Sequence, residues 1–72
     1  MTEYILWKSN DYRGYFFVTK YDEYGYCKAY LSKSVSWTHQ LDRNITYFNS
    51  ERYAIQILKL LVPNAKYTKY KY

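Results

Sequence analysis

Seventy-two residues leave room for one domain and one modest core, because a fold of this size buries only roughly 60% of the surface its unfolded chain exposes. Lys and Arg outnumber Asp and Glu 11 to 6, a net charge of +5, which favours acidic partners and argues against mimicry of DNA. The lone Cys27 and lone His39 cannot form an internal disulfide or a zinc site of ordinary composition within one chain, so the core must hold the fold unaided and no metal or cofactor is expected.

The first segment, Tyr4 to Lys8, is aromatic and β-branched and runs into Ser9-Asn10-Asp11, a turn cluster, which predicts a strand and its exit. Arg13 to Tyr21 carries the strongest strand signal in the chain, and Tyr26 to Leu31 is its natural partner across Asp22-Glu23-Tyr24-Gly25. This spacing predicts a hairpin in which Gly25 takes a positive φ at the exit of the loop. Residues 32 to 48 show no clean period and read as an ordered loop. Within it Trp37, Leu41, Ile45 and Phe48 recur every three or four residues, the spacing of a helical turn pressed on the core.

Asn49 or Ser50 should cap a helix whose first turn carries Glu51, with Phe48 and Tyr53 as a hydrophobic staple if Asn49 is the cap. Ala54, Ile57, Leu58 and Leu61 share one side of that helix, with Arg52, Gln56 and Lys59 opposite, and Val62-Pro63 ends it because proline pushes the preceding residue out of the α region. The last piece, residues 66–72, alternates like an edge strand but has no aliphatic residue. It is expected as a basic, Tyr-rich terminal strand or tail. The fold class is therefore α+β, a single domain over 1–72. A small antiparallel sheet of three strands, four with the terminal segment, packs one α-helix on one face in the order β-β-β-α(-β).

Side chains alternate faces along a strand. By parity Phe16, Val18, Cys27, Ala29 and Leu31, joined by Ile5 and Trp7, should meet the helix. Cys27 would then be a small apolar core group, inert rather than reactive. Tyr4, Arg13, Tyr15, Phe17, Tyr26, Lys28 and Tyr30 are then expected on the opposite face, an aromatic-basic surface extended by Lys66, Lys69, Tyr70 and Lys71 of the tail. The chain holds twelve tyrosines, more than one small core hides, and tyrosine suits a half-wet contact face. Three roles fit such a face: a protein interface, where Tyr and Arg are enriched anchors; single-stranded nucleic acid, with bases on the rings and lysines on phosphates; and plain cross-strand pairing on a solvated sheet. Self-assembly as a homodimer through this face or the terminal strand is a further arrangement.

Chemistry-bearing patterns are scarce. Asp22-Glu23 reads as a solvated turn, Asn44-Ile45-Thr46 matches the glycosylation acceptor pattern by chance, and two glycines make no phosphate loop. The chain is expected to be a binding protein and not an enzyme. No segment approaches the roughly 18 apolar residues of a membrane span and the N-terminus lacks a basic region leading into an apolar run. The expected place is the cytoplasm of a bacterial host cell, with no membrane partner.

The eight lysines against three arginines and the scarcity of Ala and Gly match AT-rich coding. Trp37-Thr38, followed by Phe48-Asn49-Ser50 and an alanine-bearing helix from Ala54 to Leu61, all after a Tyr-rich hairpin, resembles small uncharacterised proteins of phages and prophages of low-GC bacteria. The likeness covers the second half of the chain, and Ile45 and Thr46 stand where that pattern often has alanine. The resemblance implies an anti-defence role of the anti-CRISPR kind. The chain would bind a host defence effector or nucleic-acid-processing factor stoichiometrically through the aromatic-basic face, or else bind single-stranded nucleic acid with it.

Overall fold

The computed structural model describes residues 2–9 and 15–71, with the backbone alone for Lys28, Tyr70 and Lys71. Five strands, β1 (Glu3–Lys8), β2 (Phe16–Tyr21), β3 (Cys27–Ser32), β4 (Ser36–Thr38) and β5 (Tyr67–Lys71), form one sheet in the order β4-β3-β2-β1-β5, and one helix, α1 (Glu51–Leu61), lies between β4 and β5 in the chain. The class is α+β, but the sheet is mixed. β1 to β4 form an antiparallel meander, whereas β5 runs parallel to β1. The three- or four-stranded antiparallel sheet expected from sequence is thus corrected twice. Ser36–Thr38, within the expected loop, is a strand too short to show a period, and the terminal segment reaches β1 only by crossing over the sheet through the helix, which sets its parallel direction. Arg13 and Asn10-Asp11 of the expected strand and turn lie outside the described residues.

The β2–β3 hairpin forms where the spacing predicts it. Asp22 N–H donates to Tyr26 O at 3.0 Å, Gly25 N–H donates to Asp22 O at 3.1 Å, and Gly25 sits at φ 85°. The Asp22 carboxylate accepts from the Tyr24 and Tyr26 amides at 3.0 Å each, so this acid clasps the loop from its first position. In the β3–β4 turn Val35 N–H donates to Ser32 O at 3.0 Å and Val35 itself is left-handed at φ 59°. A three-residue hairpin loop ordinarily puts glycine there, and a β-branched residue in that region is strained.

Parity fails in β1. The register pairs Leu6 with Val18 and Tyr4 with Lys20, so the even residues of β1 share the face of Val18, beneath the helix. There Leu6, Val18, Leu31, Phe48, Ala54, Ile57 and Leu58 form the core, with Tyr4, Phe16, Trp37, Leu61 and Tyr67 packed around it. Ile5 and Trp7 take the far face. Cys27 is also corrected: the β2–β3 register slips between Lys20 and Tyr21, so that Lys20 faces Ala29 but Tyr21 faces Cys27. This bulge gives β3 one extra residue and reverses the side of everything beyond it, and Cys27 is exposed.

The helix starts at Ser50, whose hydroxyl accepts from Tyr53 N–H at 3.0 Å. Phe48 and Tyr53 meet edge to face at 5.2 Å, so the staple contact forms with Ser50, not Asn49, as the cap. The expected helical turn before it closes once, Thr46 N–H donating to Asp42 O at 2.8 Å, but it does not press the expected side onto the core. Leu41 and Ile45 are 41% and 44% exposed while Phe48 is fully buried, because Phe48 is not on a helix at all. It exchanges backbone bonds of 2.7 Å in both directions with Phe16, on the side of Phe16 away from Lys8 of β1.

Candidate functional site: an aromatic cleft on the far face

The backbone exchange between Phe16 and Phe48 decides what the far face looks like. With Phe48 committed to the core, the alternation of extended chain sends Tyr47 to the other side of the sheet, where it is 6% exposed and meets Phe17 edge to face at 5.5 Å. Phe17 in turn stacks with Trp7 at 6.0 Å and contacts Tyr30 at 6.4 Å. Trp7 Nε1–H donates to Thr19 Oγ1 at 2.8 Å, which satisfies both polar groups within an apolar surround. Trp7, Phe17, Thr19, Tyr21 and Tyr30 from the sheet, with Leu41 and Tyr47 from the loop, line an open cleft of about 240 Å³. Burial, reinforced by the Cys27 thiol, raises the Tyr30 hydroxyl above its ordinary pKa of 10.0, so it is a neutral donor at the cleft at physiological pH.

The loop wall is fixed from within. Thr46 is fully buried; its hydroxyl donates to Asp42 O at 2.8 Å and accepts from Asp42 N–H at 2.9 Å. Asp42 Oδ1 accepts from Asn44 N–H at 2.8 Å, and Lys33 N–H donates to Ile45 O at 2.9 Å, tying the loop to the β3–β4 turn. One compact loop thus presents Leu41 and Tyr47 to the aromatic cleft and Arg43 and Asn44 to another, of about 380 Å³, that Tyr15 and Lys33 complete.

The expected binding residues do not form one patch. Phe17 and Tyr30 lie in the aromatic cleft. Tyr4 is on the helix side, stacked with Trp37 at 5.9 Å, a correction that follows from the β1 register. The Trp37 ring also carries the Lys20 ammonium at 4.7 Å. Tyr15 is 40% exposed beside Lys33 and Arg43, and Tyr26 is 71% exposed at the hairpin end. Lys66 is exposed, and Lys69 is held by Glu51, whose hydrogen bond and charge raise its pKa. Arg13 and the side chains of Lys28, Tyr70 and Lys71 are outside the described residues; the backbones of Tyr70 and Lys71 pair with Trp7 and Lys8.

Trp7, Leu41 and Tyr47 line the cleft without having been expected there, whereas Thr19 and Tyr21 share the odd side of β2 with Phe17 by parity and were not singled out for binding. For Tyr47 the signal was available: it neighbours a core Phe48 in extended chain, so it must point away from the core. For Trp7 it was not, because both parities of β1 are apolar. No group of three His, Cys, Asp or Glu able to hold a metal occurs among the described residues, and no described helix is long and apolar enough to cross a membrane. The chain matches no family model, no curated protein and no solved structure.

Proposed function

We propose that this chain is a non-catalytic binding protein, encoded by a phage or mobile element, that acts stoichiometrically by covering a surface of a host defence or nucleic-acid-processing protein in the bacterial cytoplasm. The observation that carries the reading is the aromatic cleft of about 240 Å³ on the far face. That volume lies below the roughly 300 to 1,000 Å³ of small-molecule and cofactor sites, and suits one large apolar side chain of a partner. A preformed pocket walled by buried and half-buried rings, with Leu41 exposed at its rim, is the arrangement of an interface hot spot, where a few anchor residues carry most of the affinity. Among the described residues its lining contains tyrosine and threonine hydroxyls but no lysine or arginine, so rings and phosphate-binding cations do not alternate there as nucleic acid requires. The resemblance to small phage proteins supports the assignment of source and host target.

The test is affinity capture from lysate of a low-GC bacterium with the wild type and with Leu41→Asp. Leu41 is already 41% exposed, so a charge there alters the cleft rim while leaving the core intact. Loss of a specific partner with Leu41→Asp, at an unchanged urea midpoint, is expected. Equal recovery by both would remove the cleft from the function.

A further inference from the structure

Apart from the aromatic cleft, one surface combines chemistry of a different kind. Tyr15, Lys33, Arg43 and Asn44 line a cleft of about 380 Å³, within the range of small-ligand sites. Two cations, a phenol and a carboxamide make a set rich in hydrogen-bond donors. The backbone bond from Lys33 N–H to Ile45 O holds the two loops together at 2.9 Å, which keeps Lys33 and Arg43 at one cleft despite their like charge. The Asp42 carboxylate, the nearest acid in sequence, is turned to the Asn44 amide at 2.8 Å and is not part of the lining. Val35, two residues from Lys33, is held at φ 59°, so the turn carrying Lys33 is fixed in a strained shape by its surroundings.

We propose that this cleft binds one nucleotide unit of single-stranded nucleic acid, the phosphate on Lys33 and Arg43 and the base on the exposed Tyr15 ring. Guanidinium and ammonium groups beside a phosphate oxygen make charge-assisted bonds, and an aromatic face accepts any base. Tyr15 and Arg43 each take part in a further interaction within the protein. The ordering of the cleft differs from that of the aromatic cleft: here cations and ring adjoin, as a stacked nucleotide needs.

The experiment is fluorescence anisotropy of a labelled oligothymidylate of about fifteen nucleotides with the full chain between about 50 and 200 mM salt, the range over which phosphate contacts are read. The wild type is expected to bind. Tyr15→Ala should weaken it by roughly 5- to 150-fold, the loss of one stacked base. Lys33→Gln with Arg43→Gln should flatten the log–log salt slope by about 0.7, the share of the one phosphate they hold. Arg52→Gln with Lys59→Gln, the same charge removed from the exposed side of α1, should change it less. Leu41→Asp should leave Tyr15-dependent stacking in place, so failure here is separate from failure of the protein-binding reading. No binding at 50 mM salt, an equal loss in the α1 double variant, or equal competition by oligoglutamate or by inorganic phosphate would each overturn the proposal. Urea midpoints of all variants, read by tryptophan fluorescence, exclude unfolding as the cause.

Discussion

Thr46→Val tests whether the loop that walls both clefts is positioned by its own hydrogen bonds. The substitution keeps shape and replaces a hydroxyl that makes two bonds, 2.8 Å to Asp42 O and 2.9 Å from Asp42 N–H. Each is worth about 0.5 to 1.5 kcal/mol net. Asp42 is exposed, so water reaches its amide once the hydroxyl is gone, and Asp42 O still accepts from Thr46 N–H at 2.8 Å and Ile45 N–H at 3.2 Å. The full penalty for buried unpaired groups therefore does not apply, and the expected loss is about 1 to 2 kcal/mol. At roughly 0.05 to 0.15 kcal/mol per residue, a chain of 72 residues holds about 4 to 11 kcal/mol, so the variant stays folded. Urea denaturation followed by Trp7 and Trp37 fluorescence reads the loss. Amide exchange gives the cause: Asp42 N–H should lose protection in Thr46→Val and keep it in Thr46→Ser, which retains the hydroxyl. A loss below about 0.3 kcal/mol, or unchanged Asp42 protection, would refute the view that this threonine holds the loop.

Other outcomes follow from the same packing. Phe48→Ala should remove about 3 to 5 kcal/mol, since Phe48 is fully buried and joins the loop to β2; a urea midpoint near that of the wild type would contradict this. Gly25→Ala meets no atom within 4 Å but must adopt φ 85°, so a destabilisation of about 1 kcal/mol is expected from backbone strain alone. Tyr30 should ionise above 10.0 because burial and Cys27 favour its neutral form. Its raised folded pKa supplies stability that is complete below 10.0 and is lost as pH rises through the folded value. A ¹³C-tyrosine titration should place its midpoint above 10.0, and Cys27→Ser should lower it; a Tyr30 midpoint at or below 10.0 would refute the buried setting.

Much of this arrangement is written in local sequence. The β2–β3 hairpin, Gly25 and the 51–61 helix with its buried Ala54, Ile57 and Leu58 each depend on neighbours in the chain. What sequence hid depends on partners far away. Tyr4, Ile5, Leu6 and Trp7 are all apolar or amphipathic, so nothing local says which parity meets the helix; the pairing of Leu6 with Val18 decides it. The bulge opposite Tyr21 inverts Cys27 without a glycine to announce it. The three-to-four spacing aims Leu41 at the core and leaves Tyr47 in the loop, because their role is to cover a second face, and a one-helix, one-sheet scheme assigns that face to solvent. The consequence for the candidate site is direct: Phe17 and Tyr30 were expected on a flat exposed patch, and they are instead part of a walled cleft.

Insertion of a protein partner's anchor side chain into the far-face cleft, as proposed, is open to direct test. A photo-crosslinking amino acid placed at position 41, on the cleft rim, and separately at position 56, on the exposed side of α1, tests it in lysate of a low-GC host. A discrete crosslinked species is expected from position 41, lost when Tyr30→Ala is added and absent from position 56. Crosslinks of equal yield from both positions, or from position 56 alone, would contradict it.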